Sequence, residues 1–162
     1  PSAADVPVFI LARDDDGAPI ACGGLRPLAD DVLGADVVEI KRMHVAPPAR
    51  GTGVAAAVLR ELEAQARLLG ARRLVLETGT AQPDAIRFSQ RQGYVPVALF
   101  GSYAGSEMSV CFGRDLAATR DRSRRGATSC QVDSRSSGFA ASLSITPPST
   151  RRRAAVSGLR AA

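Results

Sequence analysis

Tryptophan is absent from the 162-residue chain, and only one histidine and three cysteines are present. No uncharged apolar run approaches the roughly 20 residues that a membrane-crossing helix needs, so no membrane span and no membrane partner are predicted. The cysteines are few, odd in number and widely spaced, which argues against a disulfide framework and favours a reducing compartment. The cytoplasm is therefore the expected location. His44 has no cysteine or carboxylate partner at ligand spacing, so no metal site is predicted.

Charge is unevenly distributed along the chain. Residues 1–115 hold 12 Lys plus Arg and 14 Asp plus Glu, whereas residues 116–162 hold 9 and 2, so the net charge of +5 comes from the second segment. From residue 117 onward, arginine clusters and serines follow neither a helical nor a strand period, and 117–162 is expected to be a disordered Arg/Ser-rich tail. Nucleic acid would contact only this tail, which lacks interleaved aromatic residues, so nucleic-acid binding is not favoured.

The remaining sequence predicts alternating strands and helices. Val8 to Leu11 and Ile20 to Leu25 flank a turn of aspartates and Gly17, which is typical of a β-hairpin. Pro27 to Asp36 is expected to be a loop. The further predicted elements are a strand over Val37 to Val45, a helix from Val54 to Leu69, a strand over Arg73 to Thr78, a short helix that begins near Pro83, and strands over Val95 to Phe100 and Glu107 to Phe112. This order predicts an α/β fold with a mixed sheet, in one domain over residues 6–116.

The most informative stretch runs from Met43 to Ala55. A strand ends there at two prolines, and a turn with two glycines opens the longest predicted helix. Unpaired backbone N–H groups and the positive end of the helix dipole converge at such a turn, and Arg50 adds a donor suited to phosphate. The stretch therefore predicts an anion site. The nucleotide-triphosphate loop and the dinucleotide fingerprint do not fit, since the first needs Gly-Lys-Ser/Thr and the second a third glycine.

The spacing Arg50-x-x-Gly53-x-Ala55, after a strand that ends in Val-x-Pro, resembles the Gln/Arg-x-x-Gly-x-Gly/Ala motif of the GNAT superfamily of acetyl-CoA-dependent N-acyltransferases. The resemblance covers about residues 6–116 and implies a GNAT-like acyl-CoA N-acyltransferase fold. It implies direct acetyl transfer from acetyl-CoA to an amine of a small-molecule acceptor. The backbone of Met43, His44 and Val45 would pair with the pantetheine arm. The pyrophosphate would be held by the amides of Arg50, Gly51, Thr52, Gly53, Val54 and Ala55.

The resemblance also suggests two catalytic residues. GNAT enzymes often place a carboxylate on the strand before the turn to take the amine proton, and Glu39 occupies that position. The alternatives for Glu39 are an ordinary strand carboxylate or a group that binds a cationic substrate. Many members carry a tyrosine acid on the short helix, where this chain has Phe88. Tyr103 is the substitute candidate, and a surface-loop tyrosine or protonation by solvent is the alternative.

The chain departs from the family at its start. A complete GNAT domain begins with a strand and two helices that form much of the acceptor pocket, and this chain has about five residues there. The fold is therefore expected to be N-terminally incomplete. The apolar surface that the missing helices would cover is then exposed and could bind a partner, and a homodimer is one possibility. Two other functions remain open. One is a catalytically silent coenzyme-A-binding remnant, and the other is a nucleic-acid or acidic-partner binder that acts through the tail.

Overall fold

The computed structural model describes residues 5–30, 32–116 and 139–144. Over these residues the chain forms seven strands and two α-helices. In chain order they are β1 (Val8–Arg13), β2 (Pro19–Asp30), β3 (Gly34–Val45), α1 (Val54–Leu68), β4 (Arg73–Gly79), α2 (Pro83–Arg91), β5 (Val95–Val97), β6 (Ser109–Asp115) and β7 (Phe139–Ser144). Within these ranges, neither helix combines the length and apolar composition that a bilayer crossing needs.

The strands form a single sheet in the order β5-β6-β4-β3-β2-β1-β7. β3 pairs with β4 in parallel, as does β1 with β7, and the other neighbours are antiparallel. The mixed α/β fold class is confirmed, and so is the strand–helix–strand unit formed by β3, α1 and β4. A parallel pair needs a crossover connection, and α1 provides it.

The expectation of a loop from Pro27 to Asp36 is wrong. β2 and β3 form a long hairpin, in which Leu25 pairs with Ile40 and Leu28 with Val37. Proline and aspartate are typical of loops, which is why the sequence suggested one. The pairing of β1 with β2 ends at Leu25, so beyond that point β3 is the one described neighbour of β2. Pro27 therefore lies on an edge, where the missing backbone N–H of proline is tolerated.

Helix α1 packs its apolar stripe on one face of the sheet. Val58, Leu59 and Leu62 are buried there among strand residues such as Ile10. A Cβ on Gly23 would lie 2.8 Å from Leu62 Cδ1, so the absence of a side chain on β2 lets the helix approach closely. A second, smaller core lies elsewhere in the sheet and contains Val37, Val75, Phe100 and Cys111. Val37 lies one position from Val38 of the main core, so the two cores occupy opposite faces of β3.

Glu63 of α1 is buried although it is charged. The residue is 6% exposed and its carboxylate accepts hydrogen bonds from Tyr94 Oη at 3.2 Å and Arg114 Nη1 at 2.9 Å. Burial, with the adjacent Glu63 carboxylate, raises the pKa of Tyr94 well above its ordinary value. Tyr94 is 2% exposed and belongs to the main core. The polar face of α1 is therefore narrower than the helical period alone suggests.

The domain boundary at residue 116 stays a prediction. β7 lies inside the segment expected to be a disordered tail, and its backbone pairs in parallel with β1 from Val8–Phe139 to Arg13–Ser144. The rest of that segment, 117–138 and 145–162, lies outside the described residues. The same holds for all nine basic residues of that segment, on which the nucleic-acid alternative depends.

Candidate active site

Strands β3 and β4 run side by side for four residue pairs and then separate. The last pair joins Ile40 and Leu76, beyond which β3 continues to Val45 and β4 to Gly79 without a ladder between them. Backbone groups at the edge of such a gap are open to a ligand that pairs as a strand does. A cavity of about 660 Å³ lies along this gap.

A β-bulge in β3 accompanies the separation. Arg42 and Met43 lie opposite the single residue Gly23 of β2, and Arg42 has a φ of 54°. Bulges change which face a side chain occupies. Here Ile40 before the bulge and Met43 after it both pack toward the core under α1, although they are three residues apart. The bulge thus changes the course of β3 at the place where β4 leaves it.

The turn from β3 into α1 closes one end of the cavity. Arg50 Nε donates to the Val45 carbonyl at 3.2 Å, and Thr52 Oγ1 donates to the Ala49 carbonyl at 2.7 Å. Both bonds are local, so the turn holds its shape without contacts from distant parts of the chain. Side-chain bonds of this kind replace backbone pairing in irregular segments.

Two glycines and the start of α1 form an anion cradle, which we define as the N–H groups of Gly51, Gly53 and residues 54–56. Gly51 and Gly53 have φ values of 76° and 92°, and no atom lies within 4 Å of a Cβ built on either. Gly53 is the N-cap of α1, and no side chain caps the helix. The first hydrogen bond of the helix is donated by the Ala57 N–H to the Gly53 carbonyl, at 3.1 Å. The earlier N–H groups have no helical acceptor, and the helix dipole favours an anion beside them.

The charges around the cavity also favour an anionic ligand. Four cationic and two anionic residues line it: Lys41, Arg42, Arg50 and Arg91, against Glu77 and Asp84. The first turn of α1 contains no acidic residue. Phe88 of α2 contributes an apolar section of the wall. A ligand with phosphate at one end and an apolar or amide-rich arm at the other matches this surface.

A charge cluster lies on the opposite face of the sheet, and we name it the Glu39 cluster: Glu39, Arg26, Lys41 and Tyr103. Glu39 is fully buried. Arg26 donates to its Oε2 from Nε at 3.1 Å and from Nη2 at 2.5 Å. Lys41 Nζ lies 2.9 Å from Oε1, and Tyr103 Oη donates to the same oxygen at 3.1 Å. A carboxylate offers about four lone-pair sites, so these donors occupy all of them.

Lys41 and Tyr103 are joined to each other as well as to Glu39. Lys41 Nζ donates to Tyr103 Oη and lies 4.9 Å from the centre of its ring. Burial lowers the pKa of Lys41, but the hydrogen bonds to Tyr103 and Glu39 outweigh it and raise the pKa above its ordinary value. Burial raises the pKa of the Tyr103 phenol. At neutral pH, Lys41 is therefore a cation and Tyr103 keeps its proton.

Most of the residues expected to hold the coenzyme meet at the cavity. Those that line it are Met43, His44, Val45, Arg50, Gly51, Gly53 and Ala55. Thr52 and Val54 do not line it, because the Thr52 hydroxyl turns to Ala49 and the Val54 side chain is in the core. The amides of Arg50 and Thr52 already donate to the carbonyls of Pro47 and Ala49, at 3.2 and 3.4 Å. Of the six backbone N–H groups expected to bind the pyrophosphate, those of Gly51, Gly53, Val54 and Ala55 therefore stay available to it.

The expected catalytic residues Glu39 and Tyr103 contact each other, but neither is among the residues that line the cavity. Lys41 lines it, and sequence reasoning missed Lys41. A signal was present, since Lys41 is two positions from Glu39 and so shares its strand face. Arg26 was missed because it directly precedes the expected loop, which hid its pairing with Glu39 in the hairpin.

Comparison with known proteins identifies the family. The sequence profile of the acetyltransferase (GNAT) family matches residues 2–94. The chain belongs to the GNAT family. A relative from Azospirillum brasilense, named IAA acetyltransferase, is 32% identical over 108 residues, which is 67% of this chain and 67% of the relative.

Solved structures agree with this membership. A Klebsiella pneumoniae protein assigned as an acyl-CoA N-acyltransferase superposes with a TM-score of 0.58 at 32% identity, over 64% of this chain and 68% of that one. IAA acetyltransferase from Bacillus cereus superposes with a TM-score of 0.51 at 18% identity, over 62% of this chain and 72% of that one, and shares the fold. In the described part of this GNAT chain, His, Cys, Asp and Glu side chains form no group of three or more that would hold a metal ion.

Proposed function

We propose that this GNAT-family protein transfers the acetyl group of acetyl-CoA directly to the nitrogen of a small-molecule amine. The observation that carries the proposal is the anion cradle at the end of the gap between β3 and β4. A phosphate site and an unpaired strand edge are adjacent there, and coenzyme A has a pyrophosphate and an amide-containing arm in the same order. The A. brasilense relative, named for IAA, supports a small-molecule acceptor.

The residues present match the coenzyme without further groups. The N–H groups of Gly51, Gly53, Val54 and Ala55 would bind the pyrophosphate, and Arg50 would add a charged donor. Met43, His44 and Val45 would pair with the pantetheine amides through their backbone, because their edge of β3 has no partner strand in the described residues. Phe88 lies where the arm would need an apolar contact. This arrangement directs the thioester toward the apex of the gap at Ile40.

Acetyl transfer requires two proton movements. The unprotonated amine nitrogen attacks the thioester carbonyl carbon, so a C–N bond forms and the C–S bond breaks. The nitrogen then loses a proton, and the departing sulfur gains one. Acid and base groups that hold these protons in place lower the barrier.

We assign the base role to Glu39 and the acid role to Tyr103. The Tyr103 hydroxyl occupies one lone pair of Glu39 Oε1, at 3.1 Å. If the hydroxyl turns and gives its proton to the sulfur, that lone pair becomes free to take the amine proton. The proton then returns from Glu39 to Tyr103, which restores the starting state. Lys41 stabilises the tyrosinate in between, since its ammonium group already donates to that oxygen.

Thermal unfolding with and without acetyl-CoA tests the coenzyme site. A ligand at 100 times its Kd stabilises by about 2.7 kcal/mol, which raises the Tm of a domain of this size by on the order of 10 °C. Free thiol and acetylated product are then measured with a panel of primary amines. A folded protein whose Tm does not respond to acetyl-CoA would contradict the proposal.

A silent coenzyme-binding protein is the second candidate. Two observations favour it: Phe88, which cannot donate a proton, lines the cavity, and every lone pair of the Glu39 carboxylate is already occupied. A normal Tm increase with acetyl-CoA, together with no product from any amine in the panel, would favour this candidate over the enzyme.

A further inference from the structure

The segment before β1 leaves the sheet and lies across one of its faces. Val8 pairs with Leu25 at the start of the β1–β2 ladder, so a straight continuation of β1 would carry Val6 beyond Leu25. Instead Val6 lies over Gly24, on the other side of that pair, because a Cβ built on Gly24 would be 2.5 Å from Val6 Cγ1. The chain bends at Pro7 to reach this position. Val6 therefore belongs to the surface of the sheet and not to its ladder.

The Glu39 cluster lies on the same face of the sheet. Gly23 faces α1, so the next residue, Gly24, faces away from it. Ile40 packs under α1, so Lys41 of the cluster likewise faces away. Gly24 and Lys41 are partners in the β2–β3 ladder, and neighbouring strands lie about 4.8 Å apart. Val6 is thus about one strand spacing from the cluster.

Val6 is part of an apolar patch, which we define as Val6, Phe9 and Leu11. Ile10 is in the main core, so Phe9 and Leu11, on either side of it in sequence, lie on the other face of β1. Phe9 Cδ2 is 3.2 Å from the Cβ position of Gly24, so Phe9 and Val6 meet above β2. All three patch residues are half-buried. Both α-helices pack against the main core, so neither covers this patch.

The patch and Tyr103 lie on opposite sides of the Glu39 carboxylate. The Tyr103 ring packs edge-on against Phe100, with ring centres 5.4 Å apart. Phe100 belongs to the second core, together with residues of β4 and β6. The proposed base and acid hold the reacting nitrogen over β3, and the β4 side is occupied by Tyr103 and this core. A substituent on the nitrogen that extends over β2 instead meets the patch.

We propose that the apolar patch binds the carbon substituent of the acceptor, so that the substrate class is primary amines with an extended apolar substituent. The proposal rests on the acetyl transfer proposed above and specifies its acceptor. Burial of apolar surface on both molecules favours such a substituent. A second ammonium group at the same place would leave water for an apolar surface near Arg26 and Lys41, so diamines should be poor acceptors.

The first test measures kcat/KM for ethylamine, butylamine and hexylamine. The expected result is a rise of about fourfold for each methylene that reaches the patch, carried mainly by KM, because burial of one methylene contributes that factor. Val6→Ala should lower kcat/KM for hexylamine by about fourfold or more and leave ethylamine nearly unchanged. Val110→Ala is the matched control, since it shortens a half-buried valine that packs on the α1 face.

The second test changes the chemistry of the patch. Hexylamine is compared with 1,5-diaminopentane, which has the same length and a second charge. The unmodified protein should prefer hexylamine, and Val6→Glu should reverse that preference, because a carboxylate in the patch would pair with the second ammonium group. A loss of packing alone would lower both activities without reversing their order. Val32→Glu, which adds the same charge at an exposed valine, should keep the original order.

Two further readouts separate the possible failures. Acetyl-CoA affinity and Tm, measured for every variant, show whether the coenzyme site and the fold are intact. Equal kcat/KM across the alkyl series, as expected if another part of the chain fills the patch, or an order that Val6→Glu leaves unchanged, overturns the patch and leaves the proposed function standing. If no amine is acetylated, the proposed function fails. Binding of N-hexylacetamide against N-ethylacetamide in the presence of coenzyme A then decides the role of the patch, and equal binding overturns it.

Discussion

Replacement of Gly53 by alanine should weaken acetyl-CoA binding at least as much as it weakens the fold. Gly53 has a φ of 92°, and an alanine in the left-handed region costs about 1–2 kcal/mol. No atom lies within 4 Å of the new Cβ, so no steric clash adds to that cost. The methyl group would instead project from the rim of the anion cradle. A phosphate kept away from one N–H loses a charged hydrogen bond of about 1.5–3 kcal/mol, which raises the Kd by about 10- to 150-fold.

Gly17→Ala is the matched control for this change. Gly17 has a φ of 82°, is likewise free of atoms within 4 Å of a Cβ, and lies in the turn between β1 and β2. Both variants should lose similar stability, because both carry the same backbone strain. Only Gly53→Ala should lose acetyl-CoA affinity when titrated by calorimetry. An affinity within about twofold of the unmodified protein, alongside a Tm equal to that of Gly17→Ala, would refute the cradle.

Three further predictions concern the packing and charges around the site. Glu39→Gln should reduce the free energy of unfolding by about 3 kcal/mol, because it leaves two partly buried cations without their carboxylate; a loss below about 1 kcal/mol in urea unfolding would contradict this. Gly23→Ala should cost about 1–3 kcal/mol through the contact with Leu62, whereas Gly79→Ala, with no neighbour closer than 3.7 Å, should cost less. Stability should fall above about pH 10, because unfolded Tyr94 loses its proton there while the folded residue, with its raised pKa, keeps it. Tyr94→Phe should flatten that decline in Tm, and an unchanged slope would refute it.

Much of the fold could be predicted from the sequence because local signals carried it. The period of α1, the glycine that follows it and the proline at the start of α2 each specify local geometry without reference to a partner. The β2–β3 hairpin could not be predicted in the same way. Proline and aspartate in its turn region suggest a loop, and only the pairing with β3 shows that Pro27 lies on a free edge.

The candidate site likewise has one part that local sequence predicts and one part that it does not. The anion cradle is contiguous in sequence, so the spacing of Arg50, Gly53 and Ala55 was enough to find it. The Glu39 cluster draws on β2, β3 and the segment before β6, and Arg26 and Tyr103 are 77 positions apart in the chain. Glu39 and Tyr103 were proposed separately as base and acid. Their direct hydrogen bond, and the contact of Lys41 with both, follow from sheet register and loop placement that no local pattern contains.

Under the proposed function, the separation of β3 from β4 would let coenzyme binding and chemistry occupy different faces of one sheet. β3 keeps β2 as a neighbour along most of its length, so it remains anchored after it leaves β4 at Ile40. The edge that β4 no longer covers becomes available to a ligand, and the bulge at Arg42 accommodates the change in direction. A continuous ladder would pair the same backbone groups with each other and leave no open strand edge between β3 and β4. Under the proposed function, these lost backbone pairs would let a thioester bound on the α1 face meet an acceptor on the face that carries Glu39.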